Sequence, residues 1–237
     1  MTDKLVSSPH KKFTNGNRRL SELVKEQLAD WIMDGTLKIG QKISEEELAQ
    51  QLAVSRMPVR EALRVMENTG LVRSIPFVGT TIREFSQEEI KEIYMLRTLL
   101  EPTACYYAVE NINVDCFYEL ELIQKKMSAI EKMPPSIENG KKMYWLNREF
   151  HLKIYEKAMM PTLLSIVENL WETTAYIRIK SASEPGYVQR QLEEHRLYLK
   201  FIKERDSETL RTVSAEIIEK RLEYLFSKEK QEPRACD

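Results

Sequence analysis

The chain predicts a mainly α protein, with a small mixed unit at its N-terminal end and an all-α bundle of six helices behind it. Three observations carry that class. Between residues 44 and 70 two short helical stripes abut, and residues 71–85 then read as a pair of strands. From Ser86 onward no strand-like alternation survives, and apolar residues recur at the spacing of amphipathic helices. The composition agrees: 42% of the 237 residues are hydrophobic, 31% are charged and only 7 are glycine, the balance of a helix-rich globular chain long enough for two cores.

The first unit reads element by element. Ser44 with Glu47 has the S-x-x-E spacing of a capping box, which opens a short helix carrying Leu48 and Leu52 on its apolar face. The chain turns at Ala53-Val54, and Ser55 caps a second helix. There Val59, Ala62, Leu63 and Met66 fall at i, i+3, i+4 and i+7 and form the buried stripe. Arg56, Arg60 and Arg64 recur every fourth residue beside that stripe, with Met57 next to them. Arginines near the start of an exposed helix suit DNA, because the guanidinium fork bonds guanine O6 and N7 together. Three arginines alone describe a solvated charged face just as well. Here cap, turn and apolar stripe agree on a helix-turn-helix, with double-stranded operator DNA as its partner. Arg56 and Arg60 are the expected base contacts, with Ser55, Met57 and Arg64 assisting or touching phosphate.

These residues also carry a resemblance. The run SRMPVREALRVMENTGLV, with its S-R-x-P-V-R-E-A-L core, is similar to the recognition helix and following strand of GntR-family winged-helix transcription regulators. The G-x-x-I-x-E-x-x-L-A segment from Gly40 to Ala49 matches too. Leu71–Ile75 reads as a strand, Phe77–Thr80 as a turn and Thr81–Phe85 as the returning strand, together the wing. The resemblance implies that a glycine tip approaches the minor groove, which gives that role to Gly79 and Thr80. It also implies a homodimer on a short inverted repeat.

Charge divides along the chain. Residues 1–85 carry 13 Lys/Arg against 11 Asp/Glu, a balance of +2, and the remainder carries 23 against 26, a balance of −3. A basic reader joined to an acidic body fits a DNA-binding unit whose affinity comes from local clustering. Lys11, Lys12, Arg18 and Arg19 lie in a polar leading segment, flexible through residue 15, with Arg18 and Arg19 as candidate phosphate contacts. Domains are therefore expected at 16–85 and 86–230, with flexible tails at 1–15 and 231–237. No stretch has the run of a membrane span or a signal peptide, and the chain reads as cytoplasmic. Cys105, Cys116 and Cys236 have neither disulfide nor zinc-finger spacing and read as ordinary thiols.

A second capping box, Ser86 with Glu89, opens the bundle. Six helices are expected at 87–111, 114–132, 138–158, 161–181, 186–204 and 207–228. They are separated by Asn111–Asn113, Pro134-Pro135, Pro161, Pro185-Gly186 and Asp206. This half resembles the FCD ligand-binding domain of the FadR branch of GntR regulators. The matching residues are Arg97 and Glu101 on the opening helix, Asn147-Arg-Glu-Phe150-His151, Pro161–Leu164, and Glu194-His195-Arg196 with Asp206. Six helices are closer to the VanR-like subgroup.

Two of the three histidines lie on inward stripes: Asn147, His151, Ile154 and Ala158 on one helix, and Leu192, His195, Leu199 and Ile202 on another. Residues at i and i+4 can converge on one metal, so Asn147 with His151 invites a metal site. The resemblance implies a divalent metal held by Asp or Asn and three histidines. This chain departs from that pattern twice. Asn147 is a neutral first donor, and the last helix has Ile217 where the third histidine is expected, on a face kept apolar by Val213 and Tyr224. Two imidazoles and an amide oxygen, from Asn147, His151 and His195, leave room for one Zn, Mn or Ni per subunit if water or an acidic effector completes the shell. The alternative is a pair of buried histidines satisfied by Asn147, water or each other. Arg97, on a face with Ile93, Leu100 and Ala104, either pairs with Glu101 or clamps an effector carboxylate with help from Arg178. The effector site is therefore expected among Arg97, Asn147, His151, Arg178 and His195, with Tyr94, Met143, Trp145 and Tyr176 as further candidates.

The reading is a homodimeric, ligand-responsive transcription repressor that binds an inverted-repeat operator and senses a small organic acid. It is not an enzyme, since no nucleophile–base pair or closed metal-ligand array can be read out. Two rival readings are a metal-assisted enzyme built in the bundle and a non-specific architectural DNA binder.

Overall fold

The computed structural model describes residues 19–77, 79–175, 177–178 and 186–229. The tails expected at 1–15 and 231–237, together with Lys11, Lys12, Arg18, Val78, Tyr176, Pro185 and Cys236, lie outside the described residues. The chain divides into two compact units that part between Glu84 and Phe85. Among the described residues no helix is long and apolar enough to cross a membrane.

The first unit opens with a helix that the sequence reading did not single out, α1 (Leu20–Met33), which buries Val24, Leu28 and Ile32. Their i, i+4, i+8 spacing is a one-sided stripe, and α1 packs it against the later helix of the reading pair. A two-residue strand β1 (Lys42–Ile43) follows, then α2 (Glu45–Leu52) and α3 (Arg56–Asn68). The Ser44 hydroxyl accepts the Glu47 N–H at 3.3 Å, and Ala53 ends α2 in the left-handed region at φ 53°. Ser55 stands at the start of α3 in extended backbone, but its side chain makes no capping bond, contrary to expectation. The α3 stripe is as expected: Val59, Ala62, Leu63 and Met66 are buried.

The hairpin is shifted from its expected register. Strands β2 (Val72–Ile75) and β3 (Gly79–Ile82) pair antiparallel, with Ile75 opposite Gly79 and Ser74 opposite Thr80. Strand β3 also pairs with β1, giving the sheet order β1-β3-β2. Gly79 and Thr80 are therefore paired strand residues, and Pro76 and Phe77 before them are in the turn. Gly79 is required for another reason. Its φ is 104°, and a Cβ there would meet the Lys42 side chain at 3.3 Å.

The second unit is a helical bundle: α4 (Gln87–Ala108), running into a 3₁₀ turn at Val109–Asn111, α5 (Val114–Glu131), α6 (Ile137–Glu156), α7 (Pro161–Thr173), α8 (Tyr187–Glu204) and α9 (Ser207–Glu229). The Ser86–Glu89 capping box is complete, with both reciprocal bonds present. The stretch expected as one helix at 161–181 is interrupted. It ends at Thr173 with Thr174 as its cap, and Ala175, Ile177 and Arg178 are helical again beyond it. The hydroxyls of Thr173 and Thr174 bond back to the carbonyls of Asn169 and Leu170 at 2.9 and 3.0 Å, a local competition that bends or ends helices. Helix α4 packs mainly on α9, α5 sits between α6 and α8, and α4 also touches α6 and α7. The inward residues of these helices form a mainly apolar core that also holds buried polar side chains such as Arg97, Glu101, Asn147, His195 and Arg178. Cys105 and Cys116 are buried free thiols.

Candidate functional site

Two constellations follow from this fold, one in each unit. In the first, α3 turns a charged face outward. Ser55, Arg56, Met57, Arg60 and Arg64 are all exposed, while Pro58 and Val59 beside them are buried. Arg60 is not free in solvent. Its Nε and Nη2 donate to the Glu45 carboxylate at 3.0–3.3 Å, and Arg56 Nη2 lies 3.6 Å from the same group. Glu45 opens α2, so the tight turn at Ala53 is what sets this carboxylate against the recognition helix. The Arg60 bond holds the Glu45 carboxyl below its usual range and raises the guanidinium in turn.

At the wing the expected tip residues are displaced by another. Phe77, in the turn and at φ 63°, is fully exposed, whereas Thr80 is half-buried within the sheet. An aromatic ring held out on a hairpin tip is an apolar wedge of the kind that enters a minor groove. Sequence reasoning placed Phe77 in the turn but gave the tip to Gly79 and Thr80.

The second constellation is the bundle core, built around Trp171, a residue the sequence reading did not name. Its stripe of Leu163, Val167, Trp171, Thr174 and Arg178 was available as a signal, and all five are buried. Glu101 is fully buried and accepts three bonds: Arg97 Nε at 2.5 Å, Trp171 Nε1 at 3.0 Å and the Tyr155 hydroxyl at 2.7 Å. Burial alone would raise its pKa, but Arg97 and the other donors win and lower it. Of the two expectations for Arg97, the i,i+4 ion pair is what the structure contains. The buried face of α4 runs through Tyr94, Arg97 and Glu101 rather than through Ile93 and Leu100, which are only partly buried. Trp145 is 46% exposed and lies outside the core, while Tyr94 and Met143 are within it.

Arg178 differs from Arg97. It is 2% exposed, and its Cζ lies 3.5 Å from the centroid of the Trp171 ring. None of its three guanidinium nitrogens has a hydrogen-bond partner among the described residues. Burial first, and then the positive charges of Arg97 and Arg221, push its pKa down to about 10. Arg221, from α9, is buried and bonded to Glu194. The last helix thus turns Leu210, Ser214, Ile217, Ile218 and Arg221 inward, not the wholly apolar face expected from Val213 and Tyr224, which are only partly buried.

Beside this cluster, Asn147, His151 and His195 converge as expected. His195 Nε2 lies 2.9 Å from Asn147 Oδ1 and 3.2 Å from His151 Nε2. His195 also stacks flat on Phe150 with centroids 3.9 Å apart. The surrounding bonds decide the tautomers. Gln124 donates its amide N–H to the Leu192 carbonyl at 2.9 Å, so its oxygen accepts from His195 Nδ1 at 3.2 Å. The Tyr155 hydroxyl donates to Glu101, so its oxygen accepts from His151 Nδ1 at 3.3 Å. Both protons then sit on Nδ1, and both Nε2 lone pairs face each other and Asn147 Oδ1. Turning the Asn147 amide over would relieve one of these confrontations and leave the other. Burial, first of all, keeps both imidazoles neutral, helped by the nearby cations Arg221 and Arg178.

Asn147 Oδ1 and His151 Nε2 both lie within 3.2 Å of His195 Nε2, and these three donors together would suit a cation. Ligands each ~2.1 Å from a metal lie roughly 3.0–3.4 Å apart at octahedral or tetrahedral angles, and the two separations from His195 Nε2, 2.9 and 3.2 Å, are close to that range. Outer bonds from Nδ1 to an amide and a phenol oxygen are what ligating histidines need. No group of three His, Cys, Asp or Glu residues forms a closed metal cage among the described residues, and Ile217 adds no ligand.

Comparison with known proteins joins the two constellations in one chain. Residues 20–82 match the family described as bacterial regulatory proteins, gntR family, and residues 92–220 match the FCD domain. The HTH-type transcriptional regulator McbR of Escherichia coli (strain K12) is 31% identical over 206 residues, spanning 86% of this chain and 91% of that one. The gluconate operon transcriptional repressor of Bacillus licheniformis is 28% identical over 186 residues, 76% of this chain and 74% of the relative. Among solved structures, E. coli McbR/YncC superimposes with a TM-score of 0.75 at 27% identity, covering 90% of this chain and 99% of that one. A GntR regulator from Rhodococcus sp. RHA1 shares the fold, with a TM-score of 0.69 at 18% identity over 87% of this chain and 97% of its own.

Proposed function

The chain belongs to the gntR family of bacterial regulatory proteins and carries an FCD domain, and from that premise we propose a dimeric repressor that senses a small organic acid in its bundle. It is a DNA-binding transcription regulator, as its relatives are, and not an enzyme. It works in the cytoplasm. Each subunit lays α3 in a major groove, so the operator is a short inverted repeat. Arg56 and Arg60 read bases, Ser55, Met57 and Arg64 support them, and Phe77 rather than Gly79 or Thr80 leads the wing.

The observation that carries the effector class is Arg178. A guanidinium buried against Trp171 with no hydrogen-bonded anion among the described residues is costly, and a bound carboxylate would offset that cost with two parallel charge-assisted bonds. The core holds Arg97, Arg178 and Arg221 against Glu101 and Glu194, and Arg178 is the one left over for a ligand. Asn147 Oδ1, His151 Nε2 and His195 Nε2 would hold one Zn, Mn or Ni, which would supply a Lewis-acid anchor for the same acid. Effector binding shifts the bundle between arrangements that set the spacing of the two readers.

Selection of duplexes from a random DNA pool by the full chain tests the reading. An enriched inverted repeat, whose binding responds to one or more small carboxylic acids in the wild type but not in Arg178→Met, is expected. Salt-sensitive binding without sequence preference would overturn it.

A further inference from the structure

The Glu45–Arg60 pair has a geometry more specific than a surface ion pair requires. A guanidinium has two edges with which it can grip a base: the side edge, Nε with Nη2, and the end edge, Nη1 with Nη2. Glu45 occupies the side edge of Arg60. Nε lies 3.1 Å from Oε2 and 3.3 Å from Oε1, and Nη2 lies 3.0 Å from Oε2. Among the described residues the end edge is left clear, on a side chain that is 53% exposed. Arg56 Nη2, 3.6 Å from the same carboxylate, is the weaker partner.

The geometry points to Glu45 as a specificity-determining positioning residue: it holds Arg60 end-on toward the major groove, so that one guanine per half-site is read by a fixed fork. The inference rests on the reading of Arg60 as a base contact and adds the residue that aims it. A flexible arginine pairs with any phosphate it meets, whereas one with its side edge occupied makes two parallel bonds only to an acceptor pair ahead of it, such as guanine O6 and N7. The carboxylate also withdraws positive charge from the recognition helix, which weakens binding to DNA of any sequence. Glu45 therefore favours discrimination at the expense of non-specific affinity. It is not needed to start α2. Ser44 supplies the cap by accepting the Glu47 N–H, and Glu46 and Glu47 remain in the first turn for the helix dipole.

The test uses the full chain and duplexes that the wild type enriches from a random DNA pool, compared for wild type, Arg60→Ala, Glu45→Gln and the double variant. Arg60→Ala is expected to lose preference for one guanine in each half-site. Glu45→Gln is expected to lose preference at that same position, on the order of tenfold, while binding scrambled DNA more tightly and melting at the wild-type temperature. The double variant should read no worse than Arg60→Ala alone. If Glu45→Gln keeps the full guanine preference that Arg60→Ala loses, the positioning role is overturned while the reading of Arg60 stands. If Arg60→Ala itself changes no base preference, Arg60 is a phosphate contact and both fail.

Discussion

The two units use the same pair of side chains under opposite conditions. On the recognition helix, arginines stand in solvent around one shared carboxylate, and the pairing contributes orientation rather than stability. In the bundle, arginines are buried, and each needs its own counter-charge. Arg97 has Glu101 and Arg221 has Glu194, while Arg178 has no bonded counter-charge among the described residues. At the surface an arginine without a full partner is ordinary; in a core it marks where a ligand completes the structure.

The largest effect that would sharpen this contrast is in the core. Glu101→Ala removes the acceptor of three buried donors and strands Arg97, so unfolding free energy should fall by about 3–5 kcal/mol in a denaturant titration. A loss no greater than that of a surface substitution would break the comparison. Next comes the reading helix, where Arg60→Ala should cost ~1–3 kcal/mol on the selected operator and leave stability near wild type. Equal losses on operator and scrambled duplex would reassign Arg60 to the phosphates. For the histidine pair, Gln124→Leu removes the acceptor that fixes the His195 tautomer, and Zn, Mn or Ni affinity measured by calorimetry should drop ~10–100-fold. Unchanged affinity would show that the pair is not a metal site. The smallest effect belongs to the wing: Phe77→Ala should weaken operator binding by about 1 kcal/mol, the scale of burying part of a phenyl ring. No change in affinity would leave the ring a solvent-exposed tip and nothing more.

Much of the reading unit was legible because its signals are local. The Ala53 turn and the α3 stripe each depend on residues within a few positions of one another. Local signals also misled. Gly79 looked like the hairpin tip, but its positive φ serves the end of β3 where Lys42 crosses close by, and the exposed turn residue is Phe77, two positions earlier. Helix α1 was missed because only three apolar residues, Val24, Leu28 and Ile32, mark its stripe in a polar segment. In the bundle, the inward places of Asn147, His151 and His195 were legible from spacing, whereas the inward faces of α4 and α9 were not. Nor were the roles of the arginines. That Arg97 is spoken for and Arg178 is not depends on how α4 and α7 meet at Trp171. The break after Thr173 was not legible in apolar periodicity; two hydroxyls bond backward there, as Thr98, Thr103 and Thr212 also do within unbroken helices.

The claim that Arg178 is kept for an anion, and not for the fold, can be tested with two variants and no knowledge of the effector. Arg97→Met and Arg178→Met, unfolded side by side in denaturant without added acids or metals, should diverge in stability. Arg97→Met should lose about 3–5 kcal/mol by stranding Glu101, and Arg178→Met should match the wild type or gain up to ~4 kcal/mol by removing an uncompensated buried charge. A loss in Arg178→Met as large as that in Arg97→Met would contradict the account, making Arg178 a structural residue and leaving the bundle without its anion site.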